Sequence, residues 1–313
     1  MDDTITVIVN TYNDRAHVGR AIQSVLTQTL KPHEIVVIDD GSSDGTGEFL
    51  QREFGKRILY HYHPNRGLPA SRNVGFELSS GRWLAFIDSD DYWAEEKLEL
   101  TLAETLGRPE VGMVACAGFE CTPEDKVLCT VGFPQPYSMD VVRSELRRRN
   151  PFIPSGAMIR RDVLQQVGGW PEDMRYAEDI VTFARIAACY EIAAVHRPLF
   201  YKTVLPTSMQ FDAEKVLHYG PRSFQMCKEA LGRTSWPGRW LDEIAYRQGV
   251  TQVFLHAAWV YSGRHETRRA ASCILRGLLK WPFLTARQYR SIYWLCANLL
   301  QHDRQESVPA GVK

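Results

Sequence analysis

Several features that mark common protein classes are missing from this chain. There is no excess of charge: Lys+Arg and Asp+Glu are both 37. Proteins that wrap nucleic acid are usually basic, so this balance argues against nucleic acid as a partner. Cysteine is scattered. The seven cysteines include no Cys-x-x-Cys pair and no Cys/His cluster at zinc spacing, which implies reduced thiols in a cytosolic protein. No apolar run approaches the ~20 residues of a membrane-spanning helix. The N-terminal MDDTITVIV carries acids where a secretory signal would be basic. The expected location is cytoplasmic, with any membrane contact peripheral and at the inner face. Two motifs are also absent. No Gly-x-Gly-x-x-Gly follows the first strand and no Gly-x-x-x-x-Gly-Lys-Ser/Thr exists. These absences argue against a dinucleotide oxidoreductase and a P-loop NTPase.

What is present is a regular alternation. Ile5 to Val9 is a short β-branched run and reads as a buried strand. The polar turn Asn10 to Asp14 follows, in which Asn13 or Asp14 can cap the next helix. Val18, Ile22, Val25 and Leu26 then fall at helical spacing. Further strands are expected at Glu34 to Ile38, Ile58 to His63 and Trp83 to Ile87, with helices ending near Phe54 and running through Ser71 to Leu78. This order predicts an α/β fold with a mainly parallel central sheet and helices on both faces. Beyond residue 111 the pattern loosens. Strands are expected at Val111 to Phe119, Val127 to Phe133 and Pro154 to Ile159, and helices at Met139 to Arg149 and Glu178 to Tyr190. Residues 213–300 read as a helical subdomain following a first domain over 1–212, and 301–313 read as a flexible tail.

In such a sheet the strand C-termini share one edge, where ligands bind. That edge receives Asn10, Thr11, Tyr12 and Asn13 after the first strand, Asp39, Asp40 and Ser42 after the second, and Asp88, Asp90 and Asp91 after the fourth. Three carboxylates within four residues repel one another unless a cation neutralises them, and oxygen-rich sites suit Mg²⁺ or Mn²⁺. The same acids would also serve as a solvated turn capping a helix near Ala94. A carboxylate in the Asp39 to Asp44 turn could accept a hydrogen bond from a base edge, or could cap a helix through Ser43 or Asp44. Arg66 and Arg72 bring phosphate-binding guanidinium groups to the same edge. Glu178 and Asp179 open a helix, where the dipole favours acids and where a general base could also stand.

Taken in order, VIVNTYND, QSVLTQTL, EIVVIDDGSSDGT, NRGLPASRNVGF, WLAFIDSDD, PSGAMIRRDVL, GGWPEDM and AEDIVTFARI resemble family 2 glycosyltransferases of the GT-A fold over about residues 4 to 205. The resemblance implies a GT-A nucleotide-diphospho-sugar transferase fold with a C-terminal helical extension. It implies inverting transfer of a hexosyl or N-acetylhexosaminyl group from a nucleoside diphosphate sugar, usually UDP-linked, with Mn²⁺ or Mg²⁺ as cofactor. It implies that Asn10, Thr11, Tyr12, Asn13, Asp40, Arg72 and Asp88 hold the nucleotide, that Asp90 with Asp88 holds the metal, and that Ser155, Gly156 and Glu178 lie at the donor sugar. Asp179 would be the catalytic base. Relatives often add a metal-contacting His after the late strand, but Tyr201 to Met209 contains none. The Gln-x-x-Arg-Trp of processive synthases is absent; Arg239-Trp240 is only its end, so one sugar per acceptor is expected. A catalytically inactive sugar-nucleotide-binding scaffold is the alternative, against which the intact acid set stands. A nucleotidyltransferase would need a glycine-rich loop where Asn10 to Asp14 has none.

The acceptor is expected to be a glycan or lipid-linked molecule. Between Arg264 and Arg290 lie seven Lys or Arg and one acid, interleaved with Ile274, Leu275, Leu278, Leu279, Trp281 and Phe283. This stretch suits an anionic membrane surface, or else a packing or dimer arm.

Overall fold

The structure, a computed structural model, describes residues 3–132, 138–232, 239–281 and 292. The expected tail 301–313, Phe133, and the basic segment beyond Trp281 lie outside the described residues. The chain forms two compact units, Met1–Leu146 with Asn150–Leu205, and Arg147–Arg149 with Pro206–Lys313.

The first unit is built on β1 (Ile5–Thr11), β2 (Glu34–Asp39), β3 (Leu59–Tyr62) and β4 (Trp83–Asp88), which are parallel and ordered β3-β2-β1-β4. β1 is buried along its whole length, as expected of a parallel strand covered on both faces. α1 (Val18–Leu26) turns Val18, Ala21, Ile22 and Val25 inward. α2 (Thr46–Phe54) buries Leu50 and Phe54, and α3 (Leu68–Leu78) buries Ala70, Ser71, Arg72 and Gly75. β3 departs from the expected all-apolar pattern because it is the sheet's edge, with Leu59 and Tyr62 exposed.

The second half of the sheet is mixed. β8 (Ala157–Arg160) runs antiparallel between β4 and β6 (Val111–Cys121), and β6 also pairs with β7 (Val127–Val131). Two strands were not expected from the pattern. β9 (Glu191–Thr203) lies parallel to β6, and β5 (Tyr92–Trp93) pairs with β9. Pro198 inside β9 hides it in the sequence. It cannot donate to a ladder, and the register shifts where Ala117 faces it. α4 (Lys97–Ala103), α5 (Met139–Leu146), α6 (Arg161–Gln166) and α7 (Glu178–Cys189) complete the unit. Six strands, β1 to β4, β6 and β9, point one way, so the mainly parallel layout holds.

The expected caps differ. α1 has His17 at its N-cap with no side-chain bond. Asn13, held at φ 49°, instead accepts the Ser43 amide at 2.7 Å, and Asp14 accepts the Ser89 hydroxyl at 2.7 Å. Nor does the acidic turn cap a helix at Ala94: β5 intervenes and α4 starts at Lys97 behind Glu96. Asp44 does receive the Thr46 amide, at 3.0 Å. The expected strand from Pro154 opens as a 3-10 turn, Pro154–Gly156, before β8.

The second unit consists of α8 (Ala213–Leu231), capped by Asp212 accepting the Lys215 amide at 3.1 Å, α9 (Arg239–Gly263) and α10 (Thr267–Lys280). Among the described residues no helix is long and apolar enough to cross a membrane.

Gly75 sets how closely α3 approaches the sheet. A Cβ there would stand 2.5 Å from Ile8 Cγ2 and 3.4 Å from Ile38 Cγ1. Gly75→Ala is expected to lower the unfolding free energy by about 1–2 kcal/mol, overpacking outweighing the gain in helix propensity. A urea titration of both chains measures it.

Candidate active site

The β1 register sets the site. Asn10 pairs with Ile38 on one side and Asp88 on the other, and Thr11 pairs with Asp39. The strand order reverses between β1 and β4, so their C-terminal ends flank a topological switch point, where open α/β sheets leave a crevice. Asn10 and Thr11 are buried there, yet Asn10 Nδ2 and Oδ1 and Thr11 Oγ1 have no hydrogen-bond partner. Buried polar atoms of this kind are rare unless something else satisfies them. Tyr12, next along the chain, is exposed.

The loops around this edge hold one another. The Asn13 amide donates to Ser42 Oγ at 2.8 Å. Asp39 accepts the Ser42 amide and the Tyr60 hydroxyl, each at 2.8 Å. Asp40 is buried and accepts the amides of Arg66 at 2.7 Å and Gly67 at 2.9 Å. Asp40 therefore fixes the start of α3.

Arg72 stands at the centre. It is 1% exposed. Its Nη1 donates to Glu178 at 2.6 Å and its Nη2 to Asp88 at 2.9 Å. Its guanidinium lies over the Trp170 ring, 4.7 Å from the centroid. Arg72 thus offers a ligand no open face of its own; it acts on the surface through Asp88 and Glu178. Burial pushes the Glu178 carboxyl up to about 7 against the pull of Arg72. Asp179, beside it, is partly exposed. One of its oxygens accepts Asn150 Nδ2 and the other the Ile180 amide, each at 2.8 Å. Burial raises this carboxyl too, with Arg72 opposing. Ala177, just before the pair, sits at φ 57°, a backbone strain of the sort found at functional sites.

Asp90 is pushed up to about 7, first by burial and then by the charges of Asp88 and Asp14. Asp91, which the sequence groups with it, is turned inward. It accepts the Ser155 hydroxyl and, at 3.0 Å, the Thr203 amide. Ser155 is fully buried and Gly156 is buried beside it. Ser155 Oγ accepts the Asp88 amide at 3.2 Å, and its carbonyl accepts Trp93 Nε1 at 2.8 Å. A Cβ on Gly156 would lie 2.6 Å from the Phe200 ring. These two residues support the acidic turn from beneath. Asp14, Trp93, Asn150 and Trp170 belong to the site but were not singled out from sequence. Asp14, at the end of VIVNTYND, and Trp170, after Gly168-Gly169, stood within quoted motifs.

Among the described residues, no group of three or more His, Cys, Asp or Glu side chains could hold a metal.

A family model described as "Glycosyl transferase family 2" matches residues 6–168. The glycosyltransferase GlyA of Streptococcus pneumoniae is 45% identical over 104 residues, which are 33% of this chain and 15% of that protein. A UDP-Glc:alpha-D-GlcNAc-diphosphoundecaprenol beta-1,3-glucosyltransferase, WfaP of Escherichia coli, is 32% identical over 97 residues, 31% of this chain and 39% of that protein. The chain thus matches well under half the length of these curated relatives. The mannosyltransferase PcManGT of Pyrobaculum calidifontis, solved with GDP-Man and Mn²⁺, superposes with a TM-score of 0.57 at 20% identity, covering 95% of this chain and 84% of that one. Residues 1–349 of TarS from S. aureus, solved with UDP-GlcNAc, superpose at 0.55 and 17% identity, covering 88% and 89%. These likenesses establish the GT-A fold.

Arg72→Leu leaves two carboxylates without their cation and is expected to cost about 3–5 kcal/mol at pH 7.5. The deficit depends on pH. A carboxyl raised in the folded state holds its proton where the unfolded chain has lost it, so its contribution is full below the ordinary 4.5 and is lost as pH rises through about 7. Removing Arg72 raises Glu178 further. Urea midpoints of the two chains should therefore converge towards pH 4.5 and separate above 7.

Proposed function

The chain belongs to glycosyl transferase family 2, and on that premise we propose that it transfers one sugar, with inversion, from a nucleoside diphosphate sugar to an acceptor hydroxyl. The donor is UDP-linked and the acceptor is a glycan or lipid-linked molecule, the second being the class in the WfaP name. The observation that carries this reading is the meeting, at the switch point, of unsatisfied Asn10 and Thr11 with the acidic turn of Asp88 and Asp90.

Asn10 and Thr11 supply donors and acceptors for the base and ribose, and the exposed Tyr12 ring a face for stacking. Asn13 and Asp40 keep that pocket's loops in place. Asp88 and Asp90 fit a hard divalent cation, Mn²⁺ or Mg²⁺. Both donors are oxygen, one Asp88 oxygen bonds Arg72, and Asp90 is destabilised by neighbouring negative charge. Two carboxylates with diphosphate oxygens and water are a common set for these ions. A cation bound there offsets the charge that develops on the leaving diphosphate. Asp179 takes the acceptor proton as the hydroxyl attacks. The hydrogen bonds from Asn150 and the Ile180 amide fix its orientation, and a raised carboxyl is a stronger base at neutral pH. Glu178, Ser155 and Gly156 shape the donor-sugar end. The complete acid set speaks against an inactive scaffold.

The place of action is the cytoplasmic face of a membrane. α10 turns Ala270, Cys273, Ile274 and Gly277 inward. Its opposite face carries Leu275 and Leu279, 60% and 75% exposed, with exposed Arg268; exposed Lys280 and Arg276 flank it, the Arg276 guanidinium lying 4.8 Å from the Phe254 ring centroid. That ridge suits an anionic lipid surface better than a second copy of itself, which would set cations against cations.

Two measurements test this. Thermal unfolding should shift upward with UDP and Mn²⁺ together. Asp179→Asn should keep that shift while slowing sugar transfer by about 10²–10⁴-fold. No shift with any nucleotide sugar sinks the donor assignment, and full transfer by the variant sinks the base. Separately, the protein should sediment with vesicles containing phosphatidylglycerol and not with neutral ones, and Leu275→Ser with Leu279→Ser should abolish this. Equal binding by that variant removes the α10 ridge.

A further inference from the structure

Lys97 is the first residue of α4 and is completely buried. Its ammonium has no hydrogen-bond partner. The group lies 3.8 Å from the centroid of the Trp93 ring, over its face. Burial lowers this amine to about 8, with Cys116 as its electrostatic neighbour. Two independent costs attach to the residue. A buried cation without hydrogen bonds loses its hydration, and a positive charge at a helix N-terminus opposes the helix dipole. An apolar side chain of the same length would avoid both.

The contacts of Lys97 lead to the acidic turn. The Trp93 indole N–H donates to the Ser155 carbonyl at 2.8 Å. The Cys116 thiol donates to the next carbonyl, that of Gly156, at 3.4 Å. The turn Pro154–Gly156 is thus held from below by a tryptophan and a thiol, and Lys97 lies against the first and near the second. From above, Ser155 Oγ accepts the Asp88 amide and donates to Asp91.

We propose that Lys97 is a positioning residue, fixing the plane of the Trp93 indole so that the Pro154–Gly156 turn, and through Ser155 the acidic turn of Asp88 to Asp91, keep one arrangement. A cation over an indole face restrains the ring's tilt, and the ring's only polar atom is the one that grips Ser155. Lys97 therefore trades fold stability for a rigid floor under the acidic turn. The consequence for ligand affinity rests on the proposed sugar-nucleotide reading; the consequence for rigidity does not.

The test compares full-length wild type, Lys97→Met, Trp93→Phe and the double variant. Three quantities are measured: the urea midpoint, backbone hydrogen exchange over residues 83–93 and 152–158, and the affinity for UDP with Mn²⁺. Lys97→Met should unfold at higher urea than wild type, since a buried unpaired charge is removed. Its amides at Asp88 and Gly156 should nonetheless exchange about tenfold faster, a local loosening against a global gain. Affinity for UDP with Mn²⁺ should fall about fivefold, as expected when a preorganised site loses its support. Trp93→Phe, which keeps a smaller aromatic face and loses the indole N–H, should show the same local loosening, and the double variant should be no worse than either single one. Exchange that slows along with the global gain overturns the proposal. So does a Lys97→Met chain less stable than wild type, which would make the ammonium part of the fold's own stability, or strictly additive local effects. Wild type that binds neither UDP nor Mn²⁺ defeats the sugar-nucleotide reading instead, and the exchange data still decide the role of Lys97.

Discussion

Everything at the active edge depends on one buried cation. Arg72 comes from the first turns of α3, yet its two hydrogen bonds reach the end of β4 at Asp88 and the start of α7 at Glu178. A guanidinium is suited to this because it is always charged and its planar fork serves two carboxylates at fixed angles. Trp170 closes one face of it and is in turn boxed by Phe86 and Phe183. The acids could not be brought this close without that charge. Burial still holds the Glu178 carboxyl up at about 7 against the pull of that charge.

The loops above the sheet are organised by the same economy. Most of their acids are tied to backbone amides rather than left facing solvent. Asp39 holds Ser42, Asp40 holds Arg66 and Gly67, Asp44 holds Arg15 and Thr46, and Asp91 holds Thr203. A carboxylate that accepts amides locks a loop without needing a partner side chain. What then stands apart is the short set whose polar atoms are not spent in this way: Asn10, Thr11 and Asp90. The non-glycine residues Asn13 and Ala177 lie in the left-handed region on either side of them. The proposed nucleotide contacts are assigned to Asn10 and Thr11, whose side chains the fold leaves unsatisfied, whereas Asp88 and Asp179 are held in place by their own hydrogen bonds.

Much of this was legible in the sequence, for definable reasons. β1, β2 and β4 announce themselves because strands buried on both faces must be apolar throughout, and each ends in a run of polar residues that can only be a turn. Their common direction follows from the helices between them, so the convergence of Asn10, Asp40 and Asp88 on one edge needed no coordinates. Less could be said of the second half. β9 is interrupted by His196, Arg197 and Pro198 and was not recognised as a strand, and β5 is two residues long. Such strands are decided by what lies beside them: β6 supplies the ladder for β9, and β9 supplies it for β5.

The site divides along the same line. Local sequence determined which side chains arrive at the edge, because the end of a strand is written in the few residues that follow it. It also determined the family, through motifs in a fixed order. Tertiary structure alone decided which of those side chains face outward. Asp88, Asp90 and Asp91 look alike in the chain, but Asp91 is taken up by Ser155 and Thr203, which lie 64 and 112 residues away. Arg72 reads as a phosphate ligand and is instead enclosed by residues 16 and 106 positions distant. Burial and hydrogen-bond saturation depend on partners remote in the chain, and no local pattern carries them.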